Sequence, residues 1–203
     1  MNQKPWAAAL VTLALGVLAF GCQSGGIGDP CIPEDEYQQF FSGYEDTEVN
    51  IESKSFQCET RVCLVNHFKG RVSCPYGQTE MQAAQPMGPD EGQLCHIPGT
   101  STEATRIKVA VNKQLTGRRA GDTVYCSCRC AGADSSARYC KCPTGFQCTN
   151  LLDPIPRLFS VELAGSYCIK NGTDYATSQA SLPCLVSNPT GDPPGDCGSY
   201  NGQ

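Results

Sequence analysis

The chain has 203 residues with 15 cysteines, 21 glycines and 14 prolines, and only 17% of its side chains are charged, against about 25% in a typical globular domain. Cytosolic thiols are kept reduced while exported ones bond, so this composition excludes an ordinary cytosolic enzyme and points to an exported, disulfide-built body. The net charge is −5, and no nucleic-acid partner is expected.

Residues 1–21, MNQKPWAAALVTLALGVLAFG, place one cation, Lys4, ahead of an uncharged apolar run from Ala7 to Phe20. That run is shorter than the about 20 residues a spanning helix needs, and it reads as a signal-peptide core. Its plainest processing is secretory cleavage near Gly21. Leu18, Ala19, Phe20, Gly21 and Cys22 together resemble the lipobox of bacterial lipoproteins, departing from it at Ala19, where leucine is commonest, and at the bulky Phe20. The resemblance implies cleavage before Cys22, a diacylglycerol thioether on its sulfur and an acylated new amino terminus. Gln23 in place of Asp implies sorting to the outer membrane, on a membrane face left undecided. Each buried methylene contributes about 0.8 kcal/mol, so two or three acyl chains would anchor the protein stably. The chain from Cys22 loses Lys4 and Trp6, keeping 14 basic against 20 acidic residues and no tryptophan.

Residues 22–30 read as a flexible tether, QSGGIGDP after the cysteine, and 31–203 as one disulfide-linked domain with room for two lobes, 31–100 and 101–203. Pro33 followed by Glu34, Asp35 and Glu36 signals a short helix with solvated acids, with Tyr37, Phe40 and Phe41 on one side and Gly43 as its stop. Val49 to Phe56 alternates as a half-buried strand. Arg61 to Phe68 and Arg71 to Cys74 suggest a hairpin about Lys69 and Gly70 that Cys63 and Cys74 could clip. Pro75 to Thr102 reads as a loop pinned by Cys95, and Ile107 to Leu115 with Thr123 to Cys130 as a second hairpin. The tail from Thr149 is punctuated by proline and held by Cys168, Cys184 and Cys197. The fold expected is mainly β: a small, disulfide-rich, loop-rich body of short strands and hairpins with one or two short helices.

Setting Cys22 aside leaves an even set: Cys31, Cys58, Cys63, Cys74, Cys95, Cys126, Cys128, Cys130, Cys140, Cys142, Cys148, Cys168, Cys184 and Cys197. Five lie before the gap between Cys95 and Cys126 and nine after it. Both numbers are odd, so full oxidation within one molecule requires a bridge across the gap. Cys126, Cys128 and Cys130 repeat with a period of two, which on one strand sets neighbouring side chains roughly 6.6 Å apart. Disulfide Cβ atoms sit about 3.8 Å apart, so these three should bond elsewhere rather than to each other. The stretch YCKCPTGFQC, Tyr139 to Cys148, is similar to the end of an EGF-like module. That resemblance implies a Cys142 to Cys148 bridge; a tight glycine turn under a disulfide is the simpler account.

No C-x-x-C, C-x-x-C-H, G-x-S-x-G, H-E-x-x-H or phosphate-cradling glycine loop occurs, and Asp174, Asp192 and Asp196 lack the spacing of a calcium loop. Neither a catalytic residue nor a cofactor or metal is therefore expected. Two alternatives stay open: an envelope hydrolase using His67 or His96, and thiolate metal or redox chemistry around Cys126 to Cys142. From Ala104 to Gly121 there are five cations, Arg106, Lys108, Lys113, Arg118 and Arg119, and no acid, while Cys31 to Gln57 holds seven acids and Lys54. The basic segment is either a solvated edge or a patch for an envelope protein or anionic surface polymer. The function expected is that of a lipid-anchored cell-envelope protein with a structural or partner-binding role at the outer membrane. Its general character resembles the cysteine-rich outer-membrane lipoproteins of gliding and predatory soil bacteria, which implies a role in surface motility or cell contact.

Overall fold

The computed structural model describes residues 25–84, 94–153, 163–175, 182–184 and 197; the expected signal segment, 1–21, and Cys22 lie outside them. Six strands dominate: β1 (Val49–Glu52), β2 (Val62–Asn66), β3 (Val124–Ser127), β4 (Arg129–Ala131), β5 (Phe146–Leu152) and β6 (Gly165–Lys170). The α-helices are two single turns, α1 (Glu80–Ala84) and α2 (Ala120–Thr123), and 3-10 turns cover Glu34–Tyr37 and Glu103–Thr105. The strands form two antiparallel sheets, ordered β1-β2-β3 and β4-β6-β5.

The alternation of side chains along β2 and β3 builds two cores at once. Cys63 and Val65 of β2, with Val124 and Cys126 of β3, face a cluster holding Cys31, Tyr44, Cys58, Phe68 and Val72. Leu64 and Tyr125 point to the opposite face and meet Ile169 of β6, with Val49, Ile51, Phe146 and Leu151 packed around them. Only Cys128 separates β3 from β4, so one continuous segment passes from the first sheet to the second. The Ser127 hydroxyl donates to the Cys168 carbonyl at 2.7 Å and the Lys170 amide donates to the Tyr125 hydroxyl at 2.9 Å, which locks the sheets together.

Seven disulfides join Cys31–Cys63, Cys58–Cys126, Cys74–Cys95, Cys128–Cys140, Cys130–Cys148, Cys142–Cys168 and Cys184–Cys197. Cys58–Cys126 is the bridge that crosses the gap. Cys126, Cys128 and Cys130 bond to three separate segments as their spacing predicts, although they sit in β3, between the strands and in β4 rather than on one strand. The EGF-like Cys142–Cys148 pairing does not form, because Cys148 lies opposite Cys168 in the β5–β6 ladder while its sulfur bonds Cys130.

Other local expectations give way to pairings with distant segments. No hairpin joins 61–68 to 71–74: both edges of β2 are taken by β1 and β3, and Gly70 exchanges hydrogen bonds with Tyr44. Gly43 and Gly70 both hold positive φ at this close approach, where a Cβ on Gly43 would stand 2.6 Å from the Gly70 carbonyl carbon. The Cys63–Cys74 clip is replaced by Cys31–Cys63 and Cys74–Cys95. Residues 107–115 likewise leave β3 to pair with the upstream loop, Ile107 with Cys95 and Val111 with Gln78, around a small core of Cys74, Cys95, Ile107 and Val111. A lobe boundary at residue 100 would cut the first sheet, since β3 pairs with β2. The strand foreseen over Val49 to Phe56 stops at Glu52, where Ser53 and Lys54 turn.

The part of the expected tether that lies within the described residues, Gly25–Pro30, is corrected too. Gly25 donates to the Gln57 carbonyl at 2.7 Å and accepts from Glu59, while Gly28 donates to the Cys126 carbonyl and Asp29 accepts from the Cys126 amide. Gly25–Pro30 is thus docked between the 57–59 turn and β3, because its small residues let the backbone approach closely.

Candidate functional site

The basic segment does not form one face. Arg106 is buried: its guanidinium donates to the Ala83 carbonyl at 2.8 Å and pairs with Glu103 at 3.0 Å. Arg118 is buried too, donating to the carbonyls of His67, Asn66 and Thr173 and lying over the Tyr175 ring. Arg118 clamps three backbone oxygens and Arg106 ties one backbone oxygen to a carboxylate, uses suited to the planar fork of arginine. Lys108, Lys113 and Arg119 are exposed, with Lys108 3.2 Å from Glu103. The anionic-partner patch shrinks to those three cations.

A third buried charge overturns the reading of Glu36 as a solvated helix-start acid, whereas Glu34 is exposed as expected. Glu36 is fully buried and accepts from the Val72 amide, the Ser73 amide at 3.0 Å and the Ser73 hydroxyl at 2.6 Å, with Arg71 Nε 3.9 Å away. Burial pushes its carboxyl above the usual range, opposed by the Ser73 and Val72 donors and the Arg71 charge. The expected amphipathicity holds in part: Phe41 packs against the core and Glu34 is exposed, but Glu36 faces inward while Tyr37 and Phe40 face solvent.

His67 and His96 each direct Nδ1 to a backbone carbonyl, that of Asp46 at 3.0 Å and that of Leu94 at 3.1 Å. His96 lines a cavity of about 200 Å³ with Ser73 and Thr100. Those hydroxyls are engaged elsewhere, Ser73 donating to Glu36 and Thr100 to the Ile97 carbonyl. Among the described residues no carboxylate or hydroxyl hydrogen-bonds either imidazole, and the hydrolase arrangement is not assembled there.

His67 also stacks on Tyr175 at 4.1 Å. Desolvation holds its imidazole below the ordinary value, with the Arg118 charge acting in the same direction and the Asp46 carbonyl against it. An unfolded histidine takes up a proton near pH 6.5 while the folded one resists, so this group favours the fold above that pH and ceases to as the pH falls through its folded value. Thermal melts should therefore lose stability below about pH 6.5 more steeply in the native protein than in His67→Asn. Asparagine tolerates the positive φ of 52° found at this position, and identical slopes would contradict the assignment.

The sulfurs crowd without being free. Cys128, Cys140 and Cys168 lie within 4.8 Å of one another, as do Cys130, Cys142 and Cys168. Every one is spent in a disulfide, which removes the reduced thiolates that metal or redox chemistry around Cys126 to Cys142 requires.

One surface feature escaped sequence reasoning. Phe56, placed there in a half-buried strand, is 81% exposed at the tip of the 53–61 loop. The Arg61 guanidinium covers its ring at 4.2 Å. The loop is closed by Ser55 donating to the Arg61 carbonyl and Arg61 to the Cys58 carbonyl. The period-two pattern VNIESKSF masks this exposure; the small polar Ser53 and Ser55 flanking Lys54 were the one signal of a turn. Comparison with known family models, curated proteins and solved structures finds no match to this chain.

Proposed function

We propose that the protein is a lipid-anchored component of the cell envelope, held at the outer membrane through acyl chains on Cys22, where its cross-linked body has a structural or partner-binding role. The observation that carries this reading is arithmetic. Seven disulfides consume fourteen of the fifteen cysteines, and the one left over is Cys22, directly behind an apolar leader. Exposed Lys108, Lys113 and Arg119 offer a modest anionic contact, and exposed Phe40 and Tyr37 offer apolar ones. A body fastened by this many bridges is suited to an oxidising, protease-rich exterior.

Mass spectrometry of the envelope protein should find an amino-terminal peptide beginning at Cys22 and carrying diacylglyceryl and acyl groups, and Cys22→Ser should release the body into the soluble fraction. A mature chain with an unmodified Cys22, or one retained in membranes after Cys22→Ser, would reject the anchor.

A further inference from the structure

The place where the chain enters the body limits how far that body can stand from its anchor. Cys22 precedes Gly25 by three residues, and at roughly 3.6 Å per extended residue its Cα lies no more than about 11 Å from that of Gly25. Gly25 is not free to swing: its amide is bonded to Gln57 and its carbonyl to the Glu59 amide, in a bridge beside Cys58. An acylated cysteine resides at the edge of the hydrocarbon, and the polar zone of each leaflet is roughly 6 Å deep. The 57–59 turn is thereby brought against the head groups.

The residue next to that turn is Phe56, the most exposed large apolar side chain among the described residues. Arg61 stacks on it, Lys54 is exposed in the same loop, and Glu59 is its single acid. Resting on the anchoring reading above, we propose that the Ser53–Arg61 loop is a second membrane contact, with Phe56 entering the interfacial zone and Arg61 engaging lipid phosphates. An aromatic ring beside long cationic side chains suits that zone: the ring sits at the boundary between apolar and wet regions while guanidinium and ammonium groups reach the phosphates. Anchor and loop together fix the face turned to the bilayer and leave the rest of the body directed outward.

The chain from Cys22 contains no tryptophan, so Phe56→Trp installs a single reporter at a position too exposed to disturb the core. Acylated protein carrying this substitution, reconstituted in vesicles of phosphatidylethanolamine and phosphatidylglycerol, should co-float with lipid. Its indole emission should shift to the blue and be quenched by shallow brominated lipid several-fold more than in the Cys22→Ser form mixed with the same vesicles. Adding Arg61→Ser should reduce that quenching without preventing flotation. Photo-cross-linking of the unsubstituted protein from head-group-labelled lipid should map to residues 53–61. Flotation without quenching or cross-links at the loop would overturn the contact while leaving the anchor intact. Failure of the native protein to float would remove the anchor and the contact with it.

Discussion

Replacing Cys58 and Cys126 together by alanine is expected to lower stability by about 4 kcal/mol, which for a body of this size lowers the melting temperature by roughly 10 °C. The bridge spans 68 residues, the longest separation of the seven, and the loop-closure entropy withheld from the unfolded chain grows with that length. For Cys128–Cys140, with a separation of 12, the same reasoning gives about 3 kcal/mol. Position adds to length. Both sulfurs are buried in the core that β2 and β3 share, and the bond is the covalent tie between the chain before residue 95 and the chain after residue 126. Calorimetry under non-reducing conditions, comparing this double variant with Cys128→Ala, Cys140→Ala, tests the ranking. An equal or smaller loss on removing Cys58–Cys126 would contradict it.

Arg71→Met should cost about 3–5 kcal/mol, because it leaves a buried carboxylate and several carbonyls without their cation. The Arg71 side chain has no exposure. Its guanidinium donates to Phe41 O at 2.7 Å, Gln38 O at 3.3 Å and Glu36 O, closing the 36–41 segment onto the residue before Val72. The loss should depend on pH in a stated direction. Burial already raises the Glu36 carboxyl, and removing Arg71 withdraws one of the influences holding it down. A carboxyl whose folded value is raised supports the fold below its unfolded value, and that support is lost as the pH rises through the folded value. The variant should therefore be closer to the native protein in acidic buffer than at neutral pH. Urea midpoints at both conditions measure this, and a deficit that shrank on raising the pH would reverse the assignment.

Features that depend on composition and local alternation were legible from the residues alone. The leftover cysteine and the need for a bridge across the gap follow from counts, the mainly β character from short alternating segments between turn residues, and the alternating apolar faces of the Val62 and Val124 strands from the pleat. What failed was partner choice. Arg106 and Arg118 read as surface cations because a charge in a sequence carries no sign of the carbonyls that will surround it. Glu36 read as a helix-start acid for the same reason, since Val72 and Ser73 lie far along the chain. Adjacent segments such as 61–68 and 71–74 resembled a hairpin, yet tertiary packing gave each a distant neighbour. The EGF-like motif likewise named two nearby cysteines that the β5–β6 register keeps from bonding.

The docking of Gly25–Pro30 has a consequence for the order in which the molecule can assemble. Chains are synthesised amino end first, so this strip emerges long before Tyr125 and Cys126, the residues it must lie against. The seat for the earliest part of the body is made by one of its later parts. Contacts of such separation delay folding until their ends can meet, and Cys58 must wait as a thiol for the same event. In oxidative refolding, any early pairing of Cys58 with Cys31, Cys63 or Cys74 must be undone by thiol–disulfide exchange before the native bond to Cys126 forms.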